Sequence, residues 1–268
     1  MNWNELDIDV DGVDIHVHRG GVSGAPAVVF AHGFSDDGRC WSRFAELIAE
    51  RFDVVAVDAR NHGRSGRGPA DPSILAADLA SVIRELGLSR PILVGHSIGA
   101  TTVTVLAATF PELVGSVVLE DPPWRPDRSS VDRARLDGAR AWIDSLAGRS
   151  DDDLRRLGRE QHPTWPEEEF DSWAPAKHGL GPRAIEHLAP IEWEALVSSI
   201  EVPILVVLGD PELDAIATPE LAAQISARNE RVTVGSVADA GHNIRRENLV
   251  GFADVVVPFL DANSSPAA

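Results

Sequence analysis

The sequence predicts an α/β protein in which helices cover both faces of a mostly parallel sheet. Short apolar runs, such as residues 27–31 and 203–208, have the continuous hydrophobicity of strands that are buried on both faces. Amphipathic segments of helical period, such as residues 73–87, separate these runs. Because the two patterns alternate along the chain, we expect parallel strands joined by helical crossovers.

The individual elements can be assigned in chain order. Residues 13–18 alternate between apolar and polar side chains, which is typical of a strand with one buried face. The strands predicted after it are residues 27–31, 54–57, 91–94, 117–119, 203–208 and 232–237. The helices predicted between the strands are residues 41–51, 73–87, 98–110, 219–228 and 245–259.

A long segment, residues 122–190, interrupts this alternation. It contains no strand pattern but has helix-like stretches at residues 131–147 and 151–162. Its tryptophans are Trp124, Trp142, Trp165 and Trp173. Because an unstructured loop of this length is uncommon inside a domain, we expect a helical cap. The predicted domains are a core of residues 1–121 and 191–268 and a cap of residues 122–190.

The charge balance excludes several classes of partner. The 268 residues include 24 Lys and Arg against 42 Asp and Glu, which gives a formal net charge of −18. Phosphate binding requires clustered cations, and the longest basic runs are the pairs Arg155-Arg156 and Arg245-Arg246. We therefore expect a freely soluble protein that acts on small molecules and binds neither nucleic acid nor a membrane.

Cysteine content and the apolar runs indicate the compartment. Cys40 is the only cysteine, which excludes an internal disulfide, a cysteine zinc cluster and a CxxC pair. The first residues do not resemble a signal peptide, and no apolar run reaches the roughly 20 residues that cross a bilayer. These features predict a cytoplasmic protein. The acidic runs 151–153 and 167–169 are typical of solvated helix starts, so no metal site is predicted.

The strongest chemical signal is Gly95-His96-Ser97-Ile98-Gly99, which lies between a predicted strand and a predicted helix. A G-x-S-x-G pattern at such a junction is typical of a tight turn that exposes the serine hydroxyl at the carboxyl edge of the sheet. The small glycines let the strand and the helix approach closely. Ser97 is therefore the candidate nucleophile.

A second turn, Ala31-His32-Gly33-Phe34, follows another predicted strand. It can direct the backbone N–H of Phe34 toward the space above Ser97, next to the N–H of Ile98. Two such donors form an oxyanion hole, in which each donor contributes about 10²–10³ in rate. We expect His32 to shape this loop rather than to transfer protons.

A serine hydroxyl needs a neighbouring imidazole to act as a nucleophile at neutral pH. Ala240-Gly241-His242-Asn243 lies between the strand at 232–237 and the last helix, so we expect His242 to be that base. The other histidines have weaker positions: His16 and His18 on an early hairpin, His96 inside the serine turn, and His162, His178 and His187 in the predicted cap.

Together these segments resemble the α/β-hydrolase superfamily over nearly the whole chain. The matching pieces, in order, are residues 31–34, residues 58–65, the turn around Ser97 and the segment around His242. The resemblance implies an eight-stranded sheet, a helical cap inserted after strand 6, and a Ser–acid–His triad that uses no cofactor. It also implies structural roles for Asp58, Arg60 and His62.

The acid of the triad stays open. In most relatives it follows the seventh strand, in a form like Gly-x-x-Asp, but here that place holds Glu212, with Asp210 and Asp214 in the same loop. A minority of the superfamily takes the acid from the end of the sixth strand, where this chain has Glu120 and Asp121. Both loops lie at the carboxyl edge of the sheet, so either can reach the imidazole. We expect Asp121 and keep the other four carboxylates as alternatives.

These residues predict a serine hydrolase that cleaves a carboxylic ester, including a lactone or thioester, of a small and partly hydrophobic substrate through an acyl-enzyme. A serine at position 97 excludes haloalkane dehalogenase and epoxide hydrolase chemistry, which need a carboxylate there. C–C bond hydrolysis, amide cleavage and perhydrolysis use the same serine machinery and remain alternatives. A non-catalytic small-molecule binding protein on the same scaffold is the alternative from another class.

Overall fold

An eight-stranded sheet organises the molecule. The computed structural model describes residues 1–124 and 133–264 of the chain. Its strands are β1 (Asn4–Val10), β2 (Val13–Gly21), β3 (Ala27–Ala31), β4 (Asp53–Val57), β5 (Ile92–His96), β6 (Ser116–Glu120), β7 (Ile204–Leu208) and β8 (Val232–Ser236). Their order is β1-β2-β4-β3-β5-β6-β7-β8, in which β2 pairs antiparallel with β1 and β4 and the other neighbours pair parallel. The predicted mostly parallel sheet is confirmed.

Helices cover both faces of this sheet. The described helices are α1 (Ser42–Ile48), α2 (Pro72–Glu85), α3 (Ile98–Thr109), α4 (Arg133–Leu146), α5 (Asp151–Gln161), α6 (Phe170–His178), α7 (Trp193–Ser199), α8 (Pro219–Arg228), α9 (Ile244–Glu247) and α10 (Leu249–Asn263). Short 3₁₀ helices lie at Gly38–Trp41, Pro111–Leu113, Glu167–Glu169, Pro182–Leu188 and Pro211–Leu213. In the described ranges, no helix has both the length and the apolarity that crossing a membrane requires.

Burial explains why the strands are recognisable in the sequence. Every residue of β3, β4, β5, β6 and β7 is buried. On one face of the sheet the cluster includes Leu79 of α2 and Val103 of α3, and on the other it includes Phe44 of α1 and Phe252 of α10. Because both faces are covered, these strands are continuous apolar runs.

Several elements differ from the prediction, including the helices α6 and α7, which are not among the predicted ones. Strand β1 is not among the predicted strands, although Leu6, Ile8 and Val10 alternate with polar residues along it. The predicted last helix, residues 245–259, is divided at Asn248, whose φ of −141° lies outside the helical range. The Asn248 side chain then accepts a hydrogen bond from Gly251 N at 2.9 Å and caps α10.

The segment between β6 and β7 is helical where it is described. Residues 133–190 contain α4, α5 and α6 together with 3₁₀ turns, and no strand. Their apolar side chains form a separate hydrophobic cluster that includes Leu154, Phe170 and Trp173. The predicted start of the first of these helices, at residue 131, lies outside the described residues.

Strand register brings the candidate residues to one edge of the sheet. Ala31 at the end of β3 pairs with Gly95 of β5, and His96 at the end of β5 pairs with Glu120 at the end of β6. Since these strands are parallel, the residues that follow them meet at the carboxyl edge, where ligands bind in open α/β sheets. Ser97 and Asp121 directly follow β5 and β6.

Candidate active site

Ser97 lies in a strained turn between β5 and α3. Its φ and ψ are 52° and −116°, a backbone conformation that residues other than glycine rarely adopt. The flanking glycines are required by packing, because a Cβ on Gly95 would lie 2.3 Å from the Gly99 oxygen and one on Gly99 would lie 2.1 Å from the Ala31 oxygen. The predicted close approach of strand and helix is therefore present in this turn.

Asp121 lies beside this turn and contacts His242. Ser97 N donates to the main-chain oxygen of Glu120 at 3.0 Å, which fixes the serine turn against the end of β6. The fully buried Asp121 carboxylate has its Oδ2 at 2.5 Å from Nδ1 of His242. Its two oxygens also accept the backbone N–H groups of Ile216 at 2.9 Å and Ala217 at 2.8 Å. These two donors fix the orientation of the carboxylate.

The loop that carries His242 is held from both sides. The Glu247 carboxylate accepts Gly241 N at 2.6 Å and Asn243 N at 3.1 Å, the two residues that flank the histidine. Nε2 of His96, the residue before Ser97, donates to the His242 main-chain oxygen at 2.8 Å, and the two rings lie 4.7 Å apart. The imidazole of His242 is 28% exposed, so it can contact a bound molecule.

The other candidate acids have different partners. Glu120 is fully buried and pairs with Arg245, whose Nη1 lies 3.0 Å from Oε2 and whose backbone N donates to Oε1 at 2.9 Å. Asp210 caps a 3₁₀ helix by accepting Glu212 N at 2.9 Å. Glu212 and Asp214 are exposed. Of the five carboxylates that the sequence leaves open, the described structure places Asp121 against His242.

His32 fixes the peptide that precedes the Phe34 nitrogen. Its Nδ1 donates to the Gly33 oxygen at 2.7 Å, and its Nε2 accepts Ala59 N at 3.0 Å, so both ring nitrogens are bound to backbone. Burial lowers the pKa of His32, which keeps the ring neutral and fits this donor and acceptor pair. Because the peptide is planar, anchoring the Gly33 oxygen also orients the Phe34 N–H on the opposite side. The loop-shaping role predicted for His32 agrees with these contacts.

A row of buried imidazoles extends from His32 toward the helical segment. The His32 and His62 rings lie 5.0 Å apart, and the His62 and His187 rings lie 4.7 Å apart. Burial together with neighbouring His32 lowers the pKa of His62 to about 3. Burial and His62 lower the pKa of His187 to about 2. His62 Nε2 also donates to the Phe34 oxygen at 2.6 Å, so this row supports the second peptide of the same loop.

Ser35 and Asp36, which follow Phe34 in the same loop, are anchored by a buried charge network. Asp36 lies 3.1 Å from Arg246, 3.5 Å from Lys177 and 3.6 Å from Arg245. Although burial acts to raise it, these three cations hold the pKa of Asp36 well below its usual range. The Lys177 ammonium also donates to the Ser35 oxygen at 2.5 Å, and burial lowers its pKa to about 8. The network ties the loop after β3 to α6 and α9.

A cavity opens beside the serine turn. Its walls include Ile98 of α3, His32 and Ala59 of the neighbouring loops, and His187 of the helical segment. Most of the remaining wall is aliphatic, with Ile15, Val57, Leu75 and Leu79. The tryptophans of the helical segment pack mainly with one another and their neighbours, as Trp165 and Trp173 do in its hydrophobic cluster. The wall also contains the ion pair of Arg60 and Asp78, whereas Ser97 and His242 do not line this cavity.

Comparison with known proteins places these features in a wider group. The model of the alpha/beta hydrolase family matches residues 28–255. The N-formylmaleamate deformylase of Pseudomonas putida is 26% identical over 266 residues, which cover 95% of each chain. The 2-(acetamidomethylene)succinate hydrolase of Mesorhizobium japonicum is 34% identical over 116 residues, or 42% of this chain and 41% of that protein. A lipase of Mycobacterium tuberculosis is 36% identical over 120 residues, or 44% and 46%. The chain thus spans less than half the length of these last two relatives.

Solved structures share the fold. The crystal structure of E-2-(acetamidomethylene)succinate hydrolase has a TM-score of 0.80 at 21% identity, and the match covers 97% of this chain and 100% of that chain. An N-formylmaleamic acid deformylase of Pseudomonas putida has a TM-score of 0.78 at 22% identity, with 94% and 100% covered. At these identities the likeness establishes the fold alone.

Proposed function

Since the chain belongs to the α/β-hydrolase family, we propose that it is a serine hydrolase that cleaves a carboxylic ester of a small, partly hydrophobic substrate. The observation that carries this proposal is the 2.5 Å contact between His242 Nδ1 and Asp121 Oδ2, next to the strained turn of Ser97. A carboxylate bound to Nδ1 leaves Nε2 of the imidazole free to accept a proton from a serine hydroxyl. Lactones and thioesters belong to the same substrate class.

In this mechanism Ser97 Oγ attacks the carbonyl carbon while His242 Nε2 accepts the hydroxyl proton. Asp121 keeps the proton on His242 Nδ1 and stabilises the imidazolium that forms. The backbone N–H groups of Phe34 and Ile98 bind the oxyanion of the tetrahedral intermediate. His242 then gives this proton to the departing alcohol oxygen as the bond to the carbonyl carbon breaks. The acyl group stays bound to Ser97 Oγ.

Water completes the reaction by the same groups. His242 removes a proton from a water molecule, whose oxygen attacks the acyl carbon, and the second tetrahedral intermediate uses the same two N–H donors. Collapse of this intermediate breaks the bond to Ser97 Oγ, which recovers its proton from His242. The products are a carboxylic acid and an alcohol, and the proposal requires no cofactor.

Amide hydrolysis is the second candidate function. It is favoured by the relative that matches along the whole chain, the N-formylmaleamate deformylase of Pseudomonas putida, with 95% of each chain covered. The same nucleophile and base serve an N-acyl substrate, because the leaving amine takes the proton that an alcohol would take.

The arrangement of units and the location are part of the proposal. We propose a core of residues 1–121 and 191–268 with a helical cap of residues 122–190 that closes over the serine, which is supported by the separate hydrophobic cluster of α4, α5 and α6. A cytoplasmic location is supported by the buried free thiol of Cys40.

A substrate panel tests the function. The purified chain is assayed with p-nitrophenyl esters of two to eight acyl carbons and with the matching anilides and N-formyl amides. A larger rate enhancement over the uncatalysed reaction on the esters supports the first candidate, and a larger enhancement on the amides supports the second. Ser97→Ala lowers kcat by about 10⁴-fold or more on the preferred substrate. Ser198→Ala, which changes a hydroxyl on the surface of α7, leaves kcat unchanged, and equal losses in both variants would refute the assignment.

A further inference from the structure

The β1–β2 hairpin carries a cluster of polar side chains that the proposed hydrolysis does not use. The antiparallel register pairs Glu5 with His18 and Asp7 with His16. Cross-strand partners lie on the same face of a sheet, and so do residues two apart on one strand. The hairpin geometry therefore brings these four side chains to one face. The sequence, in which β1 is not predicted, does not show this juxtaposition.

Each of the two histidines has one ring nitrogen in contact with an aspartate carboxylate. His16 Nδ1 lies 2.5 Å from Asp7 Oδ1, and His18 Nε2 lies 3.0 Å from Asp58 Oδ1. Because a carboxylate accepts, each of these nitrogens donates, and a neutral ring then has its lone pair on the other nitrogen. Those other atoms, His16 Nε2 and His18 Nδ1, are buried and have no hydrogen-bond partner. The His16 and His18 side chains are 1% and 4% exposed.

Both unpartnered nitrogens face the carboxylate of Glu5. His16 Nε2 lies 3.8 Å from Glu5 Oε2, and His18 Nδ1 lies 3.6 Å from Glu5 Oε1. One atom from each residue can be chosen so that all three lie within 4.8 Å of one another. With both rings neutral, as metal-bound histidines are, three electron-pair donors converge here, which is the arrangement that a cation satisfies. We propose that Glu5, His16 and His18 bind a divalent transition-metal ion, for which Zn²⁺ is the best match.

The distances and the ligand types suit zinc. Zinc binds histidine nitrogen at about 2.0–2.1 Å and carboxylate oxygen at about 2.0–2.2 Å, so neighbouring tetrahedral ligands are about 3.4 Å apart. The two observed nitrogen-to-oxygen separations, 3.6 and 3.8 Å, exceed this value by a few tenths of an ångström, and the three ligand atoms, which lie within 4.8 Å of one another, must draw closer around the ion. Two imidazoles disfavour Mg²⁺ and Ca²⁺, which prefer oxygen ligands. Since Glu5 is partly exposed, water can complete the fourth position.

The surrounding charges support this site and also compete for it. Asp7 and Asp58 each accept the second ring N–H of one histidine, as the outer carboxylates of zinc-bound histidines do. Arg64 Nη1 donates to Glu5 Oε2, and its side chain is 61% exposed. Arg39 Nη1 lies 3.6 Å from Oε1. An exposed guanidinium can move aside, so these contacts lower the affinity of the site without closing it.

Occupancy would fasten the hairpin to the loop that follows β4. Asp58, which holds His18, also accepts Gly38 N at 2.8 Å and Arg64 N at 2.9 Å. A bound ion would therefore link β1, β2 and this loop through one set of contacts. This proposal replaces the sequence-based expectation that the chain has no metal site.

Titration of the full chain with zinc tests the proposal. The protein is treated with a chelator, desalted and titrated with ZnCl₂ at pH 7 by isothermal calorimetry, with MgCl₂ and CaCl₂ in parallel. We expect one Zn²⁺ to bind per chain, with micromolar or tighter affinity and no heat from Mg²⁺ or Ca²⁺. Glu5→Gln and His18→Gln weaken binding by about 100-fold or more, and Asp7→Asn weakens it by about 10-fold.

The controls separate this site from other histidines. His178→Gln removes an exposed imidazole that also pairs with a carboxylate, at 2.6 Å from Asp151, and it leaves the zinc affinity unchanged. Glu5→Gln changes a partly exposed side chain, so it reports on binding even if a histidine variant fails to fold. Absence of zinc binding by the folded chain would overturn the proposal. Binding that survives both Glu5→Gln and His18→Gln would overturn it as well.

Discussion

The His242 imidazole and the Asp121 carboxylate meet at 2.5 Å across 121 residues of chain. The carboxylate is oriented by the amides of Ile216 and Ala217, which belong to the loop after β7. In the family pattern that loop usually supplies the acid itself. Here its Asp210 bonds within its own turn instead, so the loop contributes two donors to an acid that follows β6.

The first prediction concerns these two aspartates. Asp121→Asn removes the anionic partner of the His242 ring, and we expect kcat to fall by about 10³–10⁴-fold, as for the equivalent change in other triads. Asp210→Asn is expected to retain kcat within about threefold, because Asp210 caps a short 3₁₀ helix. Esterase assays of both variants, with circular dichroism to verify folding, test this expectation. A loss confined to Asp210→Asn would reassign the acid.

The second prediction separates stability from activity at adjacent residues. Glu120→Gln removes the negative charge that lies 3.0 Å from the buried Arg245 guanidinium and leaves Asp36, at 3.6 Å, as its remaining carboxylate. Because removing the charge of one member of a buried ion pair is strongly destabilising, we expect the free energy of unfolding to fall by about 3 kcal/mol. The ester turnover of the folded fraction at low temperature should stay close to that of the parent chain. Urea unfolding and kcat measured on the same preparation test both parts. Unchanged stability would contradict the structural role of Glu120.

How far the sequence could predict this molecule depended on burial. Strands covered on both faces, such as β5 and β6, left uninterrupted apolar runs, whereas β1, largely exposed along its outer residues, left only a weak alternation. The serine turn could be predicted because Gly95 and Gly99 are required by contacts closer than 2.5 Å. The acid could not be chosen, since a carboxylate after β6 and one after β7 both lie at the carboxyl edge. Side-chain direction separates them, and no local sequence pattern encodes it.

The third prediction concerns the oxyanion loop. His32→Leu removes the donor to the Gly33 oxygen and lets the Phe34 peptide rotate. We expect kcat to fall by about 10-fold or more, but by no more than the roughly 10²–10³ that loss of a whole donor costs. His32→Asn, whose amide nitrogen can reproduce the Nδ1 donor, should recover part of this loss. Michaelis–Menten kinetics with one ester test the series, and parent-level kcat in His32→Leu would contradict the positioning role.

The fourth prediction is a pH dependence of stability. In the folded chain the pKa of His62 is lowered to about 3 and that of His187 to about 2, whereas an unfolded histidine has a pKa of about 6.5. Between these values the unfolded chain binds more protons, so the stabilisation is complete above pH 6.5 and is lost as the pH falls toward 3. Asp37, with a pKa raised to about 7 by burial and neighbouring carboxylates, has the opposite sign.

A single substitution isolates the histidine contribution. His187→Phe keeps an aromatic ring but removes the titratable imidazole. The unfolded variant therefore binds about one proton fewer near pH 5, and the slope of unfolding free energy against pH should fall by about 1.4 kcal/mol per pH unit. Urea unfolding of the parent and the variant between pH 5.0 and 7.5 measures the difference. Identical slopes in the two proteins would show that the His187 ring is protonated in the folded chain.

Intact-protein mass spectrometry after incubation with a fluorophosphonate tests directly whether Ser97 is an activated nucleophile. An activated Ser97 attacks the phosphorus and expels fluoride, so we expect one adduct per chain, located on Ser97 by peptide mapping. The adduct should be absent in Ser97→Ala and should form at least about 10²-fold more slowly in His242→Ala. A folded parent chain that stays unlabelled, or a Ser97→Ala chain that is labelled at the parent rate, would contradict the assignment of Ser97 as the nucleophile.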